Sequence, residues 1–293
     1  MPALGEGMTH VAFIGFGEAG AAFARRGDLA FDVKTLHAAS ASGKRRDYER
    51  CGVTGCETAA EALAEASTIL SLVTADQALA AAETCAPLLQ SGAIWLDMNS
   101  VAPGTKRAAR DAIEAAAGRY TDVAVMAPVE PLGLAVPLLI SGAHGDATLE
   151  ALRSLGFSNV SAAGVKVGDA SAIKMIRSVM VKGIEALTAE CLLAADRAGV
   201  TAAVLASLDA SAKPQSWVAR ADYNLDRMLA HGLRRAAEME EAAKTLVELG
   251  IEPAMTRGTI ARQRELGECA VAPPEGLAGK LALLNQRSWD EVA

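Results

Sequence analysis

His10-Val11-Ala12-Phe13-Ile14-Gly15-Phe16-Gly17-Glu18-Ala19-Gly20 is an apolar run that closes in three spaced glycines, and the Ala-rich stretch Ala21-Ala22-Phe23-Ala24 continues it. An apolar strand, a G-x-G-x-x-G turn and a helix, in that order, suit a dinucleotide phosphate. The first glycine permits the tight turn. The second lets the backbone approach a pyrophosphate, and the third lets helix and strand pack closely. Amides at the start of the new helix then face the phosphate charge. Gly15, Phe16, Gly17, Glu18, Ala19 and Gly20 are therefore candidate cofactor-binding residues. Glycines also mark ordinary turns; position between strand and helix near the N-terminus is what favours the dinucleotide.

Outward from that stretch, short apolar runs alternate with helical patterns, which predicts a parallel sheet with crossover helices. Strands are expected over residues 11–14, 33–37, 68–72, 94–97, 120–125, 138–141 and 159–162. Helices are expected between them, over 59–66, 78–89 and 104–117. From Gly168 onward no strand pattern follows, and residues 170–198 and 234–249 read as helix. The fold class is α/β: a Rossmann-like parallel-sheet domain over residues 1–166, then an all-helical domain over 167–293 for substrate and dimerisation.

The helix over 170–198 would run about 43 Å at 1.5 Å per residue. Ile173, Ile176, Val179, Met180, Ile184, Leu187, Leu192 and Leu193 spread over several of its faces. A helix apolar nearly all round is buried, here between domains or in a homodimer interface. Ser171, Lys174, Ser178 and Lys182 nevertheless follow at three- or four-residue spacing and form one polar stripe. Burying an ammonium without a partner is costly. The stripe therefore faces a cleft, a ligand or a carboxylate such as Glu185, or else it is a solvated edge.

The hydrophobic fraction of 51% supplies a large core, built with aromatics at only 4%. A net charge of -7 argues against nucleic acid, whose partners are normally basic. No apolar run reaches the roughly 20 residues of a membrane helix, and the first strand starts too early for a signal peptide. Cys51, Cys56, Cys85, Cys191 and Cys269 form no C-x-x-C pair and lack zinc-like His spacing. No metal is expected, and a cytoplasmic location is.

With these residues in hand, the chain resembles the β-hydroxyacid dehydrogenase superfamily, which includes 3-hydroxyisobutyrate dehydrogenase and the domain shared with 6-phosphogluconate dehydrogenase. Besides the glycine run, Leu96-Asp97-Met98-Asn99-Ser100-Val101-Ala102-Pro103 looks like the family's D-x-S-T-x-x-P segment. Gly168-Asp169-Ala170-Ser171-Ala172-Ile173-Lys174 looks like its G-x-G-x-x-x-K helix start, which implies Lys174 as the catalytic residue. The run His231 to Glu241 is closer to a subgroup with a short, poorly defined C-terminal domain. Three departures stand out. Ser178 replaces the family's asparagine, Ala170 replaces a glycine, and Asp122-Val123-Ala124-Val125-Met126-Ala127-Pro128 lacks the Ser-Gly-Gly that holds a small carboxylate. The last implies a bulkier or more apolar substrate, with Met126 lining its space.

An acid about 20 residues past the glycines, at the end of the second strand, holds the ribose hydroxyls in NAD-specific folds. The stretch Leu36-His37-Ala38-Ala39-Ser40 contains none, and Lys44-Arg45-Arg46 follows. This predicts NADP(H) over NAD(H), with Ala39, Ser40 and Lys44 beside the cofactor, unless the cations simply open a solvated helix. Val73, Thr74, Ala75 and Asn99 are expected near the nicotinamide, and Ser100 serves there or as a helix cap. The resemblance implies hydride transfer between the nicotinamide and a carbinol or carbonyl carbon, with Lys174 handling the proton and Ser178 and Lys182 near the substrate. Trp217, Tyr223, Asn224 and His231 belong to the helical half, where they shape substrate or merely pack, and the resemblance puts Glu238 at an acidic position of the superfamily, with Ala237 in place of the lysine that precedes it there. The rival readings are an imine or ketone reductase on the same scaffold and a non-catalytic dinucleotide-binding regulator.

Overall fold

The computed structural model describes residues 11–212 and 214–286; His10 of the glycine stretch lies outside them. The chain divides into two compact units, residues 1–179 and 180–293. The first is built on one sheet with strands β1 Val11–Ile14, β2 Leu29–Phe31, β3 Thr54–Gly55, β4 Thr68–Ser71, β5 Ile94–Asp97, β6 Arg119–Val125, β7 Leu138–Ser141 and β8 Val160–Gly164. Their spatial order is β3-β2-β1-β4-β5-β6-β7-β8. Strands β1 to β6 pair in parallel, β7 turns back antiparallel to β6, and β8 runs parallel to β7. The helices are α1 Glu18–Phe23, α2 Ala38–Cys51, α3 Ala59–Leu63, α4 Ala78–Cys85, α5 Pro103–Ala115 and α6 Gly145–Ser154; α7 Asp169–Arg197 begins in this unit.

Helices cover both faces of such a sheet, so its strands are apolar throughout rather than alternating. Along β1, Val11 and Phe13 join one core cluster while Ala12 and Ile14 join another. Strand β5 divides likewise, with Ile94 and Leu96 in the first cluster and Trp95 in the second. Successive strand side chains point to opposite faces, so each tetrapeptide serves two cores. Gly15 ends β1 at φ +83°, and a Cβ there would stand 2.6 Å from the Leu72 carbonyl oxygen. Neither the conformation nor the space admits a side chain.

The second strand is a correction. The sequence predicts it over residues 33–37, but the strand is Leu29–Phe31 and Val33–Leu36 is a 3-10 helix. The Asp32 carboxylate accepts the Lys34 N–H at 2.9 Å, a side-chain turn that bends the chain straight after Phe31. Val33 and Leu36 are exposed, so the apolar residues that suggested a strand there make no core contact. The two-residue β3, paired with β2, was also absent from the sequence reading.

In the second unit the rest of α7 is joined by α8 Thr201–Ser211, α9 Trp217–Glu248, α10 Ala254–Gly267 and α11 Gly276–Asn285, with no strand among its described residues. Ser216 starts α9 by accepting the Ala219 N–H at 3.2 Å, a normal N-cap. Helices α9 and α10 meet at Gly232 and Gly267, where a Cβ on either would run into the other's backbone. Leu229, Leu266 and Leu284 form the small core around that crossing. The expected burial of α7 on nearly all faces does not hold within one chain: Ile176 and Val179 are 71% and 72% exposed. No helix of the described residues is long and apolar enough to cross a membrane.

Candidate dinucleotide and catalytic site

Open parallel sheets take ligands beyond the carboxyl ends of their strands, where the order reverses. Here the chain steps outward from β1 through β2 to β3, then crosses back to β4 on the other side of β1. The glycine turn follows β1 at that point. Gly17 is the N-cap of α1 with φ -96° and ψ -151°, and nothing lies within 4 Å of where its Cβ would be. Its lack of a side chain is thus not demanded by the fold; it leaves open space over the first-turn amides of α1. Those amides have no capping side chain and suit a phosphate. Gly20 is different, because its Cβ would stand 3.1 Å from the Phe16 ring.

Phe16 fixes the turn. Its ring is buried edge-on against Phe13 and Tyr48, with centroids 5.8 and 5.2 Å away. Its N–H donates to Asp32 Oδ2 at 2.8 Å, and its carbonyl accepts Lys44 Nζ at 2.5 Å. Glu18 is exposed at the first turn of α1 and Ala19 is half-buried behind it. The cradle is therefore preformed, and the residues present fit a dinucleotide.

Moving β2 to Leu29–Phe31 overturns the premise of the NADP(H) expectation. An acid does follow the second strand: Asp32, half-buried and directly after Phe31. Lys44 is buried and holds the Phe16 carbonyl and, at 3.0 Å, Asp47. Arg45 makes a paired contact with Glu57 at 2.8 Å. Ala39 and Ser40 sit in the first turn of α2, where the Ser40 hydroxyl donates to the Lys34 carbonyl at 2.8 Å.

Val73, Thr74 and Ala75 follow β4. Val73 Cγ1 lies 2.9 Å from the position of a Gly15 Cβ, so this loop borders the glycine turn, with Thr74 and Ala75 exposed. Asn99 and Ser100 follow β5. The Lys174 ammonium, from α7, donates to Ser100 Oγ at 2.6 Å, so two residues 74 positions apart meet at this edge. Ser178, one turn on, donates its hydroxyl to the Lys174 carbonyl at 2.9 Å. That leaves its lone pairs to accept but no proton to give. Met126 follows β6, half-buried, with its N–H on the Pro137 carbonyl at 2.9 Å. Lys182 belongs to the second unit and is exposed.

Beneath Ser100 lies a polar row that sequence reasoning missed. Ser71, Asp97, Asp122 and Ser141 stand in register across β4, β5, β6 and β7, each 2% exposed or less. Lys106, from α5 and 0% exposed, donates to the Asp97 carbonyl at 2.6 Å and to its Oδ1 at 2.9 Å, and stands 3.3 Å from Asp122 Oδ1. Tyr120 donates to Asp97 Oδ2 at 2.7 Å; burial first, then the Asp97 charge, push its phenol far above the ordinary tyrosine range, so it stays a donor. Asn99 donates to Asp97 Oδ1 through both its N–H and its Nδ2, at 3.0 and 2.8 Å. Asp122 Oδ2 accepts the Gly168 and Ser171 N–H groups at 3.2 and 3.0 Å, while Ser141 Oγ accepts that of Ala170 at 3.0 Å. The start of α7 is thus capped by the sheet itself. The signal for this in the sequence was an acid in each of two otherwise apolar strand patterns, Asp97 at the end of one and Asp122 inside the other.

Comparison with known proteins agrees with this geometry. Residues 10–131 match the family described as the NAD binding domain of 6-phosphogluconate dehydrogenase, and residues 195–266 match a domain of unknown function, DUF1932. A conserved hypothetical protein from Sinorhizobium meliloti is 36% identical over 96% of this chain and 97% of its own, with a TM-score of 0.57. A conserved protein of unknown function, described as structurally similar to 3-hydroxyacid dehydrogenases, is 29% identical over 88% of this chain and 97% of its own, with a TM-score of 0.55. The imine reductase of Myxococcus stipitatus, solved with NADP+, is 17% identical over 94% of this chain and 99% of its own, with a TM-score of 0.71; this likeness is one of fold. The chain belongs to the β-hydroxyacid dehydrogenase superfamily, in the group that joins the 6-phosphogluconate dehydrogenase type of NAD binding domain to DUF1932.

Proposed function

We propose that this member of the superfamily is an NAD(H)-dependent oxidoreductase interconverting a hydroxyl compound and its carbonyl partner, with Lys174 carrying the proton. The observation that supports it most is the Lys174 to Ser100 contact of 2.6 Å, made at the sheet edge that also carries the glycine cradle. A bound nicotinamide supplies the hydride chemistry, and the chain positions it and handles the proton. The α1 amides would hold the pyrophosphate, and Asp32 the ribose hydroxyls. In the reducing direction the Lys174 ammonium donates a proton to an oxygen that is gaining negative charge. In the oxidising direction the neutral amine takes the hydroxyl proton. Ser100 fixes the amine and its own hydroxyl proton is directed away from Lys174, towards an acceptor. Ser178 accepts from a substrate hydroxyl and does not donate to it.

Asp32 supports NAD(H) as the cofactor, since a carboxylate bonds ribose hydroxyls and repels a 2'-phosphate. Met126, where relatives of this superfamily hold a small carboxylate, supports a bulkier or more apolar substrate. Exposed Ile173, Ile176, Val179, Ile184, Leu187 and Leu193 on α7 support a homodimer that covers them, and the absence of any C-x-x-C pair among the five cysteines of the sequence suits a reducing cytoplasm. The test is a screen of hydroxy acids and of aliphatic and aromatic alcohols with NAD+ and NADP+, with cyclic imines and NADH run beside it. Reduction of NAD+ by a hydroxyl compound is expected. Turnover of imines alone would assign the chain to imine reduction, and cofactor binding without any turnover would make it a regulator.

A further inference from the structure

We infer that Lys106 is a positioning residue: one buried ammonium links the two carboxylates that separately hold the two halves of the Lys174–Ser100 pair. This rests on the proposed role of Lys174. Asp122 takes the first-turn amides of α7 at Gly168 and Ser171, one turn before Lys174. Asp97 takes the Asn99 N–H and Nδ2, one residue before Ser100. Asp97 and Asp122 are register partners on adjacent strands, and Lys106 reaches both, at 2.9 and 3.3 Å. All three side chains are essentially without solvent contact, so water cannot replace the ammonium. Without it two buried like charges face each other, and α7 and the Ser100 loop are held by groups that repel.

A buried charge cluster of this kind also serves stability, so the test separates the two roles. Lys106→Met leaves both carboxylates unbalanced and lowers stability sharply. Lys106→Met/Asp97→Asn removes one charge of each sign. The new amide oxygen still accepts from Asn99, Asp122 still caps α7, and the Tyr120 hydroxyl accepts from the amide nitrogen where it had donated to the carboxylate, so the link between the halves is gone while each half keeps its acceptor. The double variant is expected to recover most of the lost melting temperature and to bind NADH as the parent does. Its turnover number is expected to stay lower on the order of 10²-fold, with KM for the hydroxyl substrate little changed.

A second readout needs no turnover. Pyridoxal phosphate and borohydride label accessible amines, and peptide mass spectrometry gives the rate at Lys174. Labelling several-fold faster than in the parent is expected, because the amine loses its fixed place on Ser100. Recovery of turnover and of parental labelling together with stability would overturn the inference, leaving Lys106 as a charge balance only. A faster-labelled Lys174 in a protein that turns over no substrate would sink the oxidoreductase reading and leave the positioning role standing.

Discussion

Asp32→Asn is the substitution that most sharply tests the cofactor assignment. Asp32 Oδ2 accepts from Phe16 N at 2.8 Å and Oδ1 from Lys34 N at 2.9 Å. A carboxylate oxygen has two acceptor sites, so each keeps one for a ribose hydroxyl. Such a charge-assisted bond contributes about 1.5–3 kcal/mol. A 2'-phosphate brings roughly 1.5 to 2 negative charges. At about 5 Å from the Asp32 carboxylate it is repelled by about 1–7 kcal/mol, depending on the local dielectric. The lower part of that range applies, because Asp32 is half-buried. Together these favour NAD(H) over NADP(H) on the order of 10²-fold or more. Asparagine keeps one acceptor, which the glycine turn takes at Phe16, while its amide nitrogen faces the exposed Lys34 N–H. The variant should therefore fold, and its ratio of kcat/KM for NAD+ over NADP+ should fall by at least about tenfold, the lower end of that bond energy. Steady-state kinetics with both cofactors reads it. A parent protein that prefers NADP+, or a ratio that Asp32→Asn leaves unchanged, refutes the reasoning.

The two outer-turn glycines separate fold from ligand. Gly15→Ala forces a left-handed residue and a 2.6 Å approach to the Leu72 carbonyl, and should cost roughly 2–5 kcal/mol in a urea melt. Gly17→Ala meets no atom within 4 Å, so it should melt within about 1 kcal/mol of the parent, that being the scale of a Gly to Ala change at an N-cap. It should still bind NADH much more weakly by fluorescence, because the methyl occupies the approach of the pyrophosphate. Glu190 on α7 caps α10 by accepting the Met255 N–H at 2.8 Å and the Thr256 N–H and hydroxyl at 2.9 and 2.6 Å. Burial raises its pKa, but the Thr256 and Met255 bonds outweigh this and hold the carboxyl below the usual glutamate value. The stability it adds is complete above that usual value and is lost as pH falls through the depressed one. Glu190→Ala should cost about 1 kcal/mol at neutral pH and flatten the acid limb of a circular-dichroism melt series.

The sheet was legible where strands are long enough to run apolar between turn residues: β1, β5 and β7 lie where the pattern put them. Leu29–Phe31 was hidden because three residues carry no periodicity. Val33 and Leu36 imitated a strand because two apolar residues in a short stretch say nothing about exposure. The same misplacement moved the expected acid site past Asp32, which follows β2 directly. The Lys174–Ser100 pair was legible only through family motifs, as their separation in sequence has no local signature. The Lys106 link was not legible at all. In sequence Lys106 is one cation beside Arg107 and Arg110 on α5, and only the sheet register brings Asp97 and Asp122 beneath it. The N-terminal half of the α7 stripe proved polar for a reason, with the Ser171 hydroxyl on the Gly168 carbonyl and the Lys174 ammonium on Ser100.

The central claim is that the Lys174 amine moves the proton while the glycine cradle and Asp32 hold the cofactor independently of it. Lys174→Ala tests this with two numbers from one protein: the NADH dissociation constant and the turnover number with the hydroxyl compound that the parent oxidises. The account predicts a dissociation constant within about twofold of the parent and a turnover number lower by about 10²–10⁴-fold. Near-parental turnover with the amine gone contradicts it.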